Sequence, residues 1–157
     1  MLISYNRKEL TVKFSNFEMR MFNEAHKEAK KGTYKQVKVG CVITYKHKII
    51  GRGHNQDKTH PMQKKYNRYR NFNNTEGEFV KDYAHAEVIA IGAIPYTTGI
   101  EVDFSKAKVF VYRVCPGKQF GYGNSKPCPA CMNLIKDLGI KKIYYTDDDG
   151  YNYLQLN

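Results

Sequence analysis

The chain carries Ala84-His85-Ala86-Glu87 and, far downstream, Pro127-Cys128-Pro129-Ala130-Cys131. A fold in which both stretches act together has to bring them to one place. Zinc takes nitrogen and sulfur donors in a tetrahedron, and sites that do chemistry use three protein ligands and leave the fourth position to water. His85, Cys128 and Cys131 supply three such donors. Two thiolates and a neutral imidazole balance the metal's charge and leave it able to polarise a water toward hydroxide. Cys128 and Cys131 are spaced i, i+3, which puts them on one face of a helical turn. Pro129 suits the first helical position, so Cys128 is expected at the N-cap, where the helix N-terminus favours the thiolate.

His85 and Glu87 are spaced i, i+2 and would diverge in mid-helix, so they can converge only where the chain enters a first turn. The apolar run Val88-Ile89-Ala90-Ile91 reads as that helix, buried on most sides. Glu87 then stands beside the metal without binding it, free to move protons. A lone HxE would read as a core histidine with a helix-start glutamate, and a lone CxxC as a redox or structural pair. Found together, in this order and with the flanking proline, they point to a catalytic zinc.

At 157 residues the chain is expected to form one domain, residues 1–157, with a substantial core. No apolar run reaches the length of a membrane span or resembles a signal peptide, so no membrane partner is expected. Four cysteines without such a leader point to a reducing, cytoplasmic setting and to metal instead of disulfides. Cys41 falls in an apolar strand pattern and is expected in the core, while Cys115, before Pro116-Gly117, is an incidental neighbour. The formal charge of +11 favours phosphate-bearing partners without choosing among nucleotides, nucleic acid and acidic surfaces.

Phe17, Met21, Phe22, Ala25 and Ala29 recur at helical spacing, with Asn16 as the expected cap and Gly32 as the stop. Residues 37–43 and 48–53 read as two strands joined by a turn at Tyr45-Lys46-His47. Gly51 and Gly53 suit a close backbone approach and form no phosphate fingerprint. Residues 56–83 read as a partly helical insert in which Lys58, His60, Lys64, Lys65, Arg68 and Arg70 interleave with Tyr66, Tyr69 and Phe72. That pattern suits nucleotide or single-strand contacts, and equally a solvated face with tucked aromatics. Lys108–Tyr112 reads as a strand, Pro116–Lys126 as a loop, Cys128–Leu138 as a helix ended by Gly139, and Ile140–Tyr145 as a further strand. Asp147-Asp148-Asp149-Gly150 reads as a turn, and the tail bearing Tyr151 and Tyr153 is expected to cover one edge of the site.

From about Phe17 to Tyr145 the chain resembles the cytidine/deoxycytidylate deaminase superfamily. The resemblance rests on Val39-Gly40-Cys41-Val42-Ile43, on Gly51-Arg52-Gly53-His54-Asn55, and on the two stretches named first. It implies a three-layer α/β/α sandwich around a mixed five-stranded sheet. It also implies zinc held by His85, Cys128 and Cys131, Glu87 as proton shuttle, and Asn55 against the substrate sugar. Ala86 and the insert's Lys64, Lys65, Arg68 and Arg70 are further candidate substrate contacts. Relatives often carry additional cysteine and histidine ligands upstream for a second zinc. Residues 54–84 hold His54 and His60 but no cysteine, so one zinc per chain is expected.

The reaction implied is hydrolytic deamination of cytosine in a (deoxy)cytidine nucleotide, foremost dCMP to dUMP. Two alternatives remain open at this stage. One is a deaminase acting on single-stranded DNA cytosine or tRNA adenosine. The other is a non-catalytic, zinc-stabilised binding protein, against which the presence of Glu87 argues. A homo-oligomer is compatible with the sequence.

Overall fold

The computed structural model describes residues 3–5, 14–32, 37–70, 83–97, 101–114 and 125–157. Phe72 and the Asn71–Gly77 turn, Cys115 and most of the glycine-rich loop before Lys126 lie outside these residues. A short strand β1 (Ile3–Tyr5) precedes helix α1 (Asn16–Lys30). Ser15, and not Asn16, caps α1. Its hydroxyl accepts the Glu18 N–H while the Glu18 carboxylate accepts the Ser15 N–H, so each satisfies an orphan donor of the other. The stripe Met21, Phe22, Ala25 and Ala29 is buried as its spacing predicts.

Strands β2 (Lys38–Tyr45) and β3 (Lys48–His54) form an antiparallel hairpin. The turn tightens to Lys46 and His47, both left-handed at φ 51° and 63°. A two-residue hairpin loop needs positive φ at both positions to follow the strand twist, which the expected three-residue turn would not. The Phe17 ring stands edge-on to the His47 ring at 4.8 Å and steadies this glycine-free turn.

Helix α2 (Pro61–Tyr66), a 3₁₀ turn at Asn67–Tyr69 and helix α3 (Ala86–Thr97) come next. Strand β4 (Lys108–Val114), helix α4 (Pro129–Leu138) and strands β5 (Lys142–Asp147) and β6 (Gly150–Gln155) complete the chain. The sheet order is β1-β6-β5-β4-β2-β3, with β4 and β5 parallel and every other pair antiparallel. Strands β2 to β6 form the expected mixed five-stranded sheet, and β1 adds a short sixth strand at its edge. The tail corrects an expectation: Tyr151 and Tyr153 do not cover the site. They lie in β6, whose alternating burial and pairing to β5 make it part of the sheet. Asp147 forms the expected turn, its carboxylate accepting the N–H groups of Asp149 and Gly150.

Helix α1 packs on one face of the sheet, and α3 and α4 on the other. Two glycines set how closely they approach. A Cβ on Gly40 would stand 2.1 Å from the Ala25 carbonyl oxygen, and one on Gly53 would stand 2.6 Å from the Ala90 nitrogen. Both helices therefore rest backbone on backbone, as expected for Gly53. Among the described residues no helix is long and apolar enough to cross a membrane.

Candidate active site

Helix α3 starts at Ala86, so His85 stands immediately before its first turn and Glu87 within it. Cys128 is the N-cap of α4 with extended backbone (φ −65°, ψ 167°), Pro129 occupies the first turn, and Gly139 closes the helix at φ 92°. His85 Nδ1 lies 3.4 Å from the sulfur of Cys128 and 3.4 Å from that of Cys131. Zinc–nitrogen and zinc–sulfur bonds of ordinary length make a tetrahedral N···S edge of about 3.6 Å. The donor set therefore fits a zinc ion with one position left over. Among the described residues it is the one His/Cys/Asp/Glu group placed to hold a metal.

The charges in this cluster are tuned before any metal enters. A hydrogen bond from Cys131, helped by His85, holds the Cys128 thiol down at about 4 against the effect of burial. The same contact, with burial, pushes Cys131 up. Burial disfavours charge on His85, but the hydrogen bond with Cys128 and the nearby Glu87 outweigh it and raise its pKa, while Arg70 pulls the other way. Glu87 is 4% exposed. Burial raises its pKa above the ordinary carboxylate value, although His85 opposes this. A carboxyl shifted upward in this way can both take and return a proton.

A cavity of about 230 Å³ opens beside these residues, lined by His85, Ala86, Glu87 and Cys128 and, across from them, by Asn55, Arg113, Ser125 and Lys126. Of the substrate contacts expected from sequence, Asn55 and Ala86 reach the cavity. The Asn55 amide is also bolted to the opposite rim: its oxygen accepts the Val39 N–H at 2.9 Å and its nitrogen donates to the Val37 carbonyl at 3.0 Å. Lys64, Lys65, Arg68 and Arg70 do not line the cavity. The first three are exposed on α2 and the following turn, and Arg70, half-buried, is near enough to influence the charge on His85.

Arg113, Ser125 and Lys126 escaped the sequence reading. Arg113 shares strand parity with Val109 and Val111, which face α3 and α4, so the alternation of β4 carried a signal for it. Ser125 ties the parallel strands together just before the cysteine helix. Its hydroxyl contacts the Val111 carbonyl and the carbonyl and hydroxyl oxygens of Thr146 at 3.0 Å, and its N–H donates to the Thr146 carbonyl at 2.7 Å. The Thr146 hydroxyl in turn accepts the Arg113 N–H.

The family described as the cytidine and deoxycytidylate deaminase zinc-binding region matches residues 15–147. Among solved structures, the apo dCMP deaminase of cyanophage S-TIM5 is 18% identical with a TM-score of 0.53, covering 83% of this chain and 82% of that one. The same enzyme in complex with dCMP and dUMP is 19% identical with a TM-score of 0.54, covering 84% and 82%. At these identities the likeness is one of fold. No curated protein matches the chain in sequence.

Proposed function

The chain belongs to the cytidine and deoxycytidylate deaminase family, and from that premise we propose that it hydrolyses the 4-amino group of cytosine in a (deoxy)cytidine nucleotide, converting dCMP to dUMP. The observation that carries this reading is the buried Glu87 beside three converging donors at the cavity wall. When held by His85, Cys128 and Cys131, one zinc ion per chain supplies the Lewis acidity that makes water a nucleophile near neutral pH. Glu87 takes one proton from the attacking water and delivers it to N3, then takes the remaining proton from the hydroxyl formed on C4 and passes it to the leaving amine. Water's oxygen stays on C4 and the nitrogen departs as ammonia. The volume of about 230 Å³ lies below the usual range for drug-sized ligands and suits a single base, with sugar and phosphate at the rim. There Asn55 is placed for the sugar, and the cations of Arg113 and Lys126 suit a phosphate. The cyanophage enzyme with dCMP and dUMP bound supports a monophosphate as the substrate. The thiol ligands suit a reducing compartment.

A second reading takes single-stranded DNA cytosine or tRNA adenosine as substrate. It draws on the charge of +11 and on the exposed Lys64, Lys65 and Arg68. The position of those three outside the cavity lining favours the nucleotide. Pure protein incubated with dCMP, dCTP, cytidine, single-stranded DNA and tRNA, with products read by mass, separates the readings. We expect turnover of dCMP and loss of both zinc and turnover in Cys128→Ala. Negligible dCMP turnover alongside deaminated DNA or tRNA would replace the first reading by the second. No turnover of any substrate by zinc-loaded protein would favour a binding protein.

A further inference from the structure

The described part of the insert, residues 56–70, shows Lys64, Lys65 and Arg68 to solvent, yet its buried face is what meets the metal site. In α2 and the turn after it, Gln63, Tyr66 and Asn67 are buried while Lys64, Lys65 and Arg68 point to solvent. Gln63 is fully buried. Its side-chain carbonyl accepts the backbone N–H of His85 at 3.0 Å, and its amide nitrogen donates to the Asn67 side chain at 2.8 Å. The same stretch grips the residues just before His85. Gln56 N–H donates to the Ala84 carbonyl, Ala84 N–H donates to the Lys58 carbonyl, and Thr59 bridges Tyr83.

We propose that Gln63 is a positioning residue for the metal site, fixing the His85 backbone and thereby the place of the Nδ1 ligand. The physical reason lies in which ring nitrogen is used. Nδ1 is two bonds from Cβ, so a displacement of the His85 backbone passes almost undiminished to the donor atom. Nε2, at the far end of the ring, could be re-aimed by rotating the side chain. His85 precedes α3, so its N–H is outside that helix's hydrogen-bond ladder and needs a partner from another element. Gln63 supplies it, and the bond to Asn67 holds the Gln63 amide in the orientation that presents oxygen to His85. Outer-shell partners of metal ligands typically change metal affinity by 10–100-fold when lost.

This inference rests on the zinc reading of His85, Cys128 and Cys131, and its test keeps the two apart. Zinc affinity is measured by chelator competition in the wild type, Gln63→Met, Gln63→Glu and Tyr66→Phe. Amide hydrogen exchange at His85 is followed in the zinc-free proteins. Methionine fills nearly the same volume without the acceptor, so zinc affinity should fall roughly tenfold and exchange at His85 should accelerate. Glutamate keeps the acceptor for His85 but loses the donor to Asn67, so its zinc affinity should fall between those of wild type and Gln63→Met. Tyr66→Phe removes the 2.7 Å bond to Asp137 that docks α2 on α4, so it should lower thermal stability and leave zinc affinity unchanged. Wild-type zinc affinity in Gln63→Met, or an equal loss in Tyr66→Phe, would overturn the positioning role. A wild-type chain that takes up no zinc would overturn the site reading itself.

Discussion

The two faces of the sheet are both buried, but they are built from different materials. The face under α3 and α4 is mostly aliphatic, with Ile43, Val88, Val109, Val111, Ile135 and Ile143 at its centre. The face under α1 is aromatic: Phe22, Phe110, Tyr112 and Tyr144 interlock, with Phe14, Tyr151 and Tyr153 packed around them. The three candidate metal donors and Glu87 belong to the aliphatic side. Strand β3 shows the division within one element. Gly51 and Gly53 face α3 at backbone contact, while Arg52 and His54 face α1 and meet Glu24 and Glu28. Small residues on one face let a helix start be set down close to the chemistry. Large rings on the other face fill space and hold the sheet.

Substitutions at the heart of each face should therefore fail differently. Glu87→Gln is expected to lower kcat by about 10²–10⁴-fold, the usual contribution of a positioned acid/base, with zinc content and folding retained. Phe22→Ala is expected to destabilise the fold by about 3–5 kcal/mol, since its fully buried ring meets Tyr151 at 4.5 Å and Phe110 at 5.5 Å. The fraction that remains folded should turn over normally. Steady-state kinetics and denaturant titration on both variants check this. A low intrinsic kcat in folded Phe22→Ala would show that the faces are not separate in function.

The paired glycines sharpen the same contrast. Gly40→Ala pushes on Ala25 and Ala29 of α1, and Gly53→Ala pushes on Ala86 and Ala90 of α3. Overpacking of this kind costs about 1–3 kcal/mol, so both should lower the midpoint of unfolding. Only Gly53→Ala displaces the first turn of the helix that carries Glu87, so it alone should also weaken zinc binding and lower kcat at temperatures where both variants are folded. Equal losses of zinc affinity would mean that α1 and α3 move as one body.

The division between faces also marks how far the sequence could be read. The His85/Glu87 and Cys128/Cys131 pairs, the capping role of Cys128, the stop at Gly139 and the hairpin strands each depend on residues close together in the chain, and each was legible. Arg113 was half legible: alternation gives its parity, but not that its side of the sheet carries the site. Ser125 was not legible, because its partners Val111 and Thr146 reach it only through the parallel pairing of β4 with β5. Gln63 was hidden by its neighbours. Lys64 and Lys65 gave the insert a basic signature that drew attention to its solvent side, whereas its link to His85 spans 22 positions of sequence. The tail joins the sheet instead of covering an edge of the site because Gly150–Gln155 alternates in burial as a strand does and pairs with β5.

The smallest effect lies at the outer edge of the aromatic face. Arg52 of β3 reaches Glu24 of α1 at 2.9 Å, and both side chains are partly in solvent, 42% and 26% exposed. Such a pair contributes about 0.2–1 kcal/mol, reduced further by salt. The hydrogen bond from Arg52 lowers the Glu24 pKa below its ordinary value of 4.5. A carboxylate shifted downward in the folded state stabilises above its unfolded pKa, and that contribution is lost as pH falls through the folded value. Glu24→Gln should therefore be slightly less stable than wild type at pH 7 and low salt. The difference should shrink in high salt and vanish below the lowered Glu24 value. Lys27 also bonds to Glu24, so a double-mutant cycle with Arg52→Gln isolates the strand–helix pair from the contact within the helix. Neither substitution should change kcat or zinc affinity, because β3 shows these side chains to α1 and its glycines to α3. A coupling energy unaffected by salt, or a change in kcat in Arg52→Gln, would mean that the charged edge of the aromatic face is wired to the site across the strand.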